Sequence, residues 1–191
     1  MAEPVAGVLL AAGQGRRAGG PKALKTVDGQ PWWRVQASAM VAELGCVVAV
    51  LHPDAWPEAD GPLLGCIAVT GNPEAPQLAS LQLGLALLPI GAALVLPIDC
   101  PWPGPAVAAA LADLSAQTDA LAVVPAVESH GQLRRGHPVW LSGPAVAAVL
   151  ALDPATDRLD HWLAAQGDQV ATVDVGEPAV LANFNADGVG R

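Results

Sequence analysis

The sequence predicts an α/β protein with three layers, α/β/α, built on a mostly parallel mixed sheet. Short apolar runs bounded by glycine or proline alternate with helical patterns along the chain. The runs are apolar on both faces, as strands of a covered sheet are. The 191 residues are 52% hydrophobic and 14% charged, which supports a buried core and excludes a disordered chain. One domain over residues 1–191 is therefore expected.

The first strand is expected at Val5–Ala11, an apolar run that stops at the glycines of the next loop. Trp33–Glu43 has helical patterning, and Cys46–Leu51 and Cys66–Thr70 are the next buried strands. Residues 75–98 carry no charge, a length that raises the question of a membrane helix. Gln77, Ser80 and Gln82 are polar, Pro89-Ile90-Gly91 is a turn signal, and the basic flanks of a span are missing. The segment reads instead as a helix, Leu78–Leu88, then a strand, Ala93–Ile98. Pro105–Ser115 is the next helix and Ala120–Val124 the next strand. Glu128–Gly136 is polar and contains glycine, so it reads as a loop. A strand at Pro138–Leu141, helices at Pro144–Leu150 and Thr156–Gln166, and a last strand at Val170–Val175 complete the pattern. The six tryptophans read as packing residues.

The net charge is −9, which excludes broad, salt-driven nucleic-acid binding. The cations are nonetheless focused. Four of the nine Lys and Arg residues are Arg16, Arg17, Lys22 and Lys25, and no carboxylate lies between Glu3 and Asp28. That concentration suits a small polyanion. Cys46, Cys66 and Cys100 form no CxxC pair and no zinc spacing. The apolar N-terminus lacks a basic n-region, so reduced thiols and a cytoplasmic location are expected.

The cations sit in a glycine-rich stretch, Leu10-Ala11-Ala12-Gly13-Gln14-Gly15-Arg16-Arg17-Ala18-Gly19-Gly20-Pro21-Lys22-Ala23-Leu24. Glycines let backbone N–H groups approach an anion closely. Gly13-x-Gly15-x-x-Ala18 formally matches a dinucleotide fingerprint, but Gly19-Gly20-Pro21 would break the helix that motif must open. A Walker A loop fails because Lys22 stands between Pro21 and Ala23. The stretch resembles the LAAGxSxRMGxPKxL signature of the MobA-like NTP transferases, a group that includes molybdenum cofactor cytidylyltransferases and guanylyltransferases. Leu10–Gly13, Arg17, Gly19, Pro21, Lys22 and Leu24 match, and Ala18 replaces a bulkier residue. The resemblance implies a Rossmann-like, GT-A-like nucleotidyltransferase fold. It also implies that Leu10, Ala11, Ala12, Gly13 and Gly15 bind the nucleotide. Arg17 then offers a planar fork to phosphate oxygens, and Lys22 a point charge to the α-phosphate.

Asp99 is the only charged residue between Glu74 and Asp113. An ionised carboxylate at the end of an apolar strand needs a cationic partner or a metal, unless it serves as a local cap. Pro97-Ile98-Asp99-Cys100-Pro101 resembles the family's PxDxP element, which implies that Asp99 holds Mg²⁺. Ser80-Leu81 resembles the base-reading pair of the cytidylyltransferase branch and favours CTP, although Ser80 also suits a plain first-turn position. Gly136-His137-Pro138 resembles that branch's GHP element, which implies that His137 and Arg135 lie near the acceptor. Asn183-Phe184-Asn185 resembles the family's closing element, with Asn185 where the branch more often has a metal-binding Asp.

Together these readings predict a Mg²⁺-dependent enzyme with Arg17, Lys22 and Asp99 as catalytic residues. It would transfer a nucleoside monophosphate from CTP to a phosphorylated, molybdopterin-type acceptor. A molybdoenzyme or accessory protein is the expected partner. Two alternatives stay open: the same fold acting on a sugar phosphate or other phospho-acceptor, and a catalytically weak nucleotide-binding accessory protein.

Overall fold

Alternation along the first strand decides what each side of the sheet receives. In the computed structural model, which describes residues 5–16, 19–56, 61–89, 91–129 and 131–184, β1 spans Val5–Ala11. Val8 and Leu10 join the core on one face, Leu9 and Ala11 the core on the other. β4 (Val47–Leu51) and β6 (Ala92–Pro97) flank β1 in parallel, with Leu10 opposite both Val50 and Pro97. β5 (Cys66–Thr70) extends the sheet beyond β4, also in parallel. On the other side β9 (Val139–Leu141) runs antiparallel to β6 and β7 (Ala122–Ser129), and β10 (Val170–Asp174) lies parallel to β7. The result is the mostly parallel mixed sheet the sequence predicts, in the order β10-β7-β9-β6-β1-β4-β5.

α1 (Trp32–Leu44) and α3 (Pro105–Gln117) cover one face through Trp33, Met40, Val107 and Leu111. α2 (Gln77–Ala86) and α4 (Gly143–Leu150) cover the other through Leu78, Leu81, Val146 and Val149, with α5 (Leu159–Ala165) packed beside them. α2 lies unusually close to the sheet. A Cβ at Gly84 would stand 2.6 Å from Val8 Cγ1, so only glycine permits this approach. Residues 75–98 thus form a helix and a buried strand, as expected. No helix among the described residues is long and apolar enough to cross a membrane.

The structure corrects the expected elements in three places. Glu128–Gly136 is not a loop. β7 continues to Ser129 and pairs with β8 (Gln132–Arg135) in an antiparallel hairpin. All four residues of β8 are exposed, so this strand has no buried apolar face to betray it. The helix expected at Thr156–Gln166 begins only at Leu159. The Asp153 and Asp157 side chains instead accept backbone N–H groups of Ala155 and Asp153, which holds the chain in turns before it. Finally, the Asp28-Gly29 turn joins two short strands, β2 (Thr26–Val27) and β3 (Gln30–Pro31).

Candidate active site

The chain leaves β1 toward β4 on one side and later returns through α2 to β6 on the other. The carboxyl ends of β1 and β6 are therefore a topological switch point, where open α/β sheets bind ligands. The two loops that leave these ends carry the residues picked out by sequence. The Ile98 N–H donates to the Leu10 carbonyl at 2.9 Å, and the Cys100 N–H closes a turn on the Pro97 carbonyl at 3.0 Å. Asp99 projects from that turn. Lys22 arrives on a 3-10 turn, Lys22–Leu24, anchored by the buried Ala23. Its Nζ lies 3.5 Å from Asp99 Oδ2, with the two side chains 15% and 30% exposed.

Two cavities meet at Asp99. The first, of about 260 Å³, is lined by Ala12, Gly13 and Gly15 after β1 and by Asn72, Pro73 and Ser80 at the approach to α2. Lys22 and Asp99 complete it. Arg16 joins its two bordering loops through an ion pair with Glu74 at 3.0 Å, and Gln14 hydrogen-bonds to both residues. The second cavity, of about 590 Å³, shares Leu10, Gln77, Pro97 and Asp99 with the first. Leu78, Leu81, Val95, Val139, Leu159 and Leu163 make much of its wall. Its polar groups include His137, Asp157, Arg158, Asp160 and Asn183.

Charge in the second cavity is constrained. Arg158 is its one cationic lining residue among those described, and it already donates to both Asp160 oxygens, at 2.9 and 3.0 Å. Burial depresses the pKa of His137 below its ordinary value, against a weaker upward pull from Asp99. Its Nδ1 is buried without a hydrogen-bond partner. Burial, with Asp99 adding to it, pushes the Cys100 thiol up to about 12.

Leu10, Ala12, Gly13, Gly15, Lys22, Ser80 and Asp99 thus converge on one cavity and His137 borders its neighbour. Ala11 faces the α1 core and lines neither. Arg135 is exposed on β8, where its Nε donates to Thr172 Oγ1 at 3.1 Å, and it also lines neither. Arg17 and Asn185 lie outside the described residues. Sequence reasoning missed Asn72, Asp157 and Asp160, and picked out Arg158, with Asp153, only as a loose likeness to a family Asp-x-Gly-Ala-Arg element. Asp157 and Asp160 had a signal, the run of charged residues from Asp153 to Asp160.

Residues 7–170 match the family described as the MobA-like NTP transferase domain. The chain belongs to this family. No curated protein matches it. Among solved structures, this MobA-like chain resembles Rv0371c from Mycobacterium tuberculosis H37Rv at 22% identity and a TM-score of 0.72, covering 91% of this chain and 89% of that one. A manganese complex of Rv0371c aligns with 21% identity and a TM-score of 0.69, over 91% and 89% of the two chains. The 2-C-methyl-D-erythritol 4-phosphate cytidylyltransferase from Thermus thermophilus aligns with 23% identity and a TM-score of 0.62, over 95% and 92%. At these identities the likeness concerns the fold, which is that of nucleotidyltransferases.

Proposed function

We propose that the protein transfers a nucleoside monophosphate from an NTP, with CTP favoured, to a phosphorylated acceptor of molybdopterin type. The observation that carries this reading is the meeting of two cavities at Asp99, with Lys22 beside it in the first. The first takes the nucleotide. Backbone N–H groups of the loop after β1 are offered to its phosphates, and Ser80 lines it where a base could be read. The second takes the acceptor. A phosphate oxygen of the acceptor forms the new bond to the α-phosphorus. The bond from that phosphorus to the bridging oxygen breaks, and its electron pair leaves with pyrophosphate.

Mg²⁺ suits the donors present. Asp99 and Asn183 offer oxygen atoms at the second cavity, and no cluster of three His, Cys, Asp or Glu forms among the described residues. Magnesium commonly takes one or two carboxylates together with substrate phosphates and water. Bound at Asp99, it would supply charge neutralisation on the phosphates. Lys22 holds an ammonium beside the reacting α-phosphate. His137, kept neutral by burial, lines the acceptor cavity without adding a charge to it.

The apolar wall of the second cavity favours an acceptor with a planar or apolar body over a polyol phosphate. A planar ring can lie against Leu78, Leu81, Val139 and Leu163 while its polar edge meets Asp157, Arg158, Asp160 or Asn183. The experiment is pyrophosphate release measured with CTP, GTP, UTP and ATP against molybdopterin, a sugar phosphate and phospholactate. Release with CTP and molybdopterin is expected. Release with a sugar phosphate alone would overturn the acceptor assignment.

A further inference from the structure

One residue, through its backbone and its side chain, touches all three segments that meet at the site. Trp32 opens α1 and is 9% exposed. Its backbone N–H donates to the Lys25 carbonyl at 2.7 Å and so ties down the turn that carries Lys22. Its indole Nε1 donates to the carbonyl of Ile98, the residue before Asp99, at 2.9 Å. Its ring meets Phe184 edge-on with centroids 5.8 Å apart. The Phe184 N–H in turn donates to the Asp99 carbonyl at 2.6 Å.

One helical turn later, Gln36 completes the hold on the same loop. It is 3% exposed among apolar neighbours. Its Nε2 donates to the Cys100 carbonyl at 2.7 Å, and its Oε1 accepts the Trp102 N–H at 3.1 Å. A buried amide is tolerated when both ends are bonded, as here. The carbonyls of Ile98, Asp99 and Cys100 therefore each accept a hydrogen bond from elsewhere in the chain. Loops usually leave such groups to water.

We propose that Trp32, supported by Gln36, is the positioning residue that sets the distance between the Lys22 ammonium and the Asp99 carboxylate. The proposal rests on the nucleotidyltransferase reading only for the use to which that distance is put. An α-phosphate and its counter-ion must fit between these groups, and misplacing such groups by about 1 Å costs about 100-fold in rate.

The test uses Trp32→Phe, which keeps a ring against Phe184 and removes the indole donor. Gln36→Met keeps the volume and removes both polar ends. Leu111→Val, a buried change under α3, controls for lost stability. Amide hydrogen exchange of residues 98–102 should rise about tenfold in the first two variants and stay unchanged in the third, while residues 22–25, tied by the Trp32 backbone N–H, stay unchanged in all three. With CTP, kcat should fall about 10–100-fold while KM stays within about threefold. Mn²⁺ affinity in the presence of CTP, read from the electron paramagnetic resonance of free Mn²⁺, should fall about tenfold. Wild-type exchange and wild-type Mn²⁺ affinity in both variants would overturn the proposal. A kcat loss no greater than that of Leu111→Val would overturn it as well. If exchange rises but the wild type neither binds Mn²⁺ nor releases pyrophosphate, the holding role stands and the transferase reading falls.

Discussion

Replacing Lys22 by methionine separates what the ion pair does for folding from what it does for turnover. Lys22 Nζ and Asp99 Oδ2 are 3.5 Å apart at a cavity edge, with side chains 15% and 30% exposed. At that distance the attraction is about 5 kcal/mol at an effective dielectric of about 20 and about 1 kcal/mol in water. Both groups give up hydration to meet, so the net contribution to folding is about 1 kcal/mol or less. For a chain of this size that is a Tm shift of about 2–4 °C or less. Methionine keeps most of the apolar stem, so packing is preserved. Turnover responds differently. The ammonium acts on charge that develops on the triphosphate, and one such preorganised donor contributes about 10²–10³-fold to kcat. Calorimetry and a pyrophosphate-release assay on the same preparation measure both effects. A variant that turns over within about threefold of wild type refutes the role of Lys22, because so small a loss is far below the effect of a transition-state donor. A Tm loss above about 10 °C refutes the folding estimate.

The depressed pKa of His137 gives a pH dependence with a definite sign. The unfolded chain protonates this imidazole near 6.5 while the folded chain holds it neutral, so the wild type loses stability as pH falls below that value. Urea midpoints of wild type and His137→Gln should diverge between pH 8 and about 5, with the wild type falling faster, and parallel curves would contradict the burial argument. Cys66 and Cys100 are pushed up to about 11 and about 12, each mainly by burial. Both should resist iodoacetamide at pH 8 until the protein unfolds, and rapid native labelling seen by mass spectrometry would contradict this. Gly84→Ala should destabilise by about 1–3 kcal/mol, because the added Cβ overlaps Val8 and outweighs the helix propensity of alanine. A more stable variant in urea would show that α2 can shift.

The parts of the fold legible in sequence were those whose apolar pattern had one physical meaning. β1, β4 and β6 are buried between two helix layers, so their continuous apolar runs mark them within a residue or two, and β5 shows the same run although it is a part-exposed edge strand. β8 was illegible because it is an exposed ribbon whose residues serve only backbone pairing. The start of α5 was misread because aspartate side chains captured the backbone N–H groups before it. At the site, Lys22 stood out within a cation-rich glycine loop and Asp99 as the one charge in a long neutral stretch, and they do meet. Trp32 and Gln36 did not stand out. Their partners are backbone carbonyls more than 60 positions away, which no local pattern reveals.

The central claim is that the cavities meeting at Asp99 form one metal-dependent nucleotidyl-transfer site. It is tested most directly by pyrophosphate release from CTP and molybdopterin, with and without Mg²⁺, in wild type and Asp99→Ala. The account predicts release that needs Mg²⁺ in the wild type and is lost by about 10²-fold or more in the variant. Full Mg²⁺-dependent turnover by Asp99→Ala would contradict it.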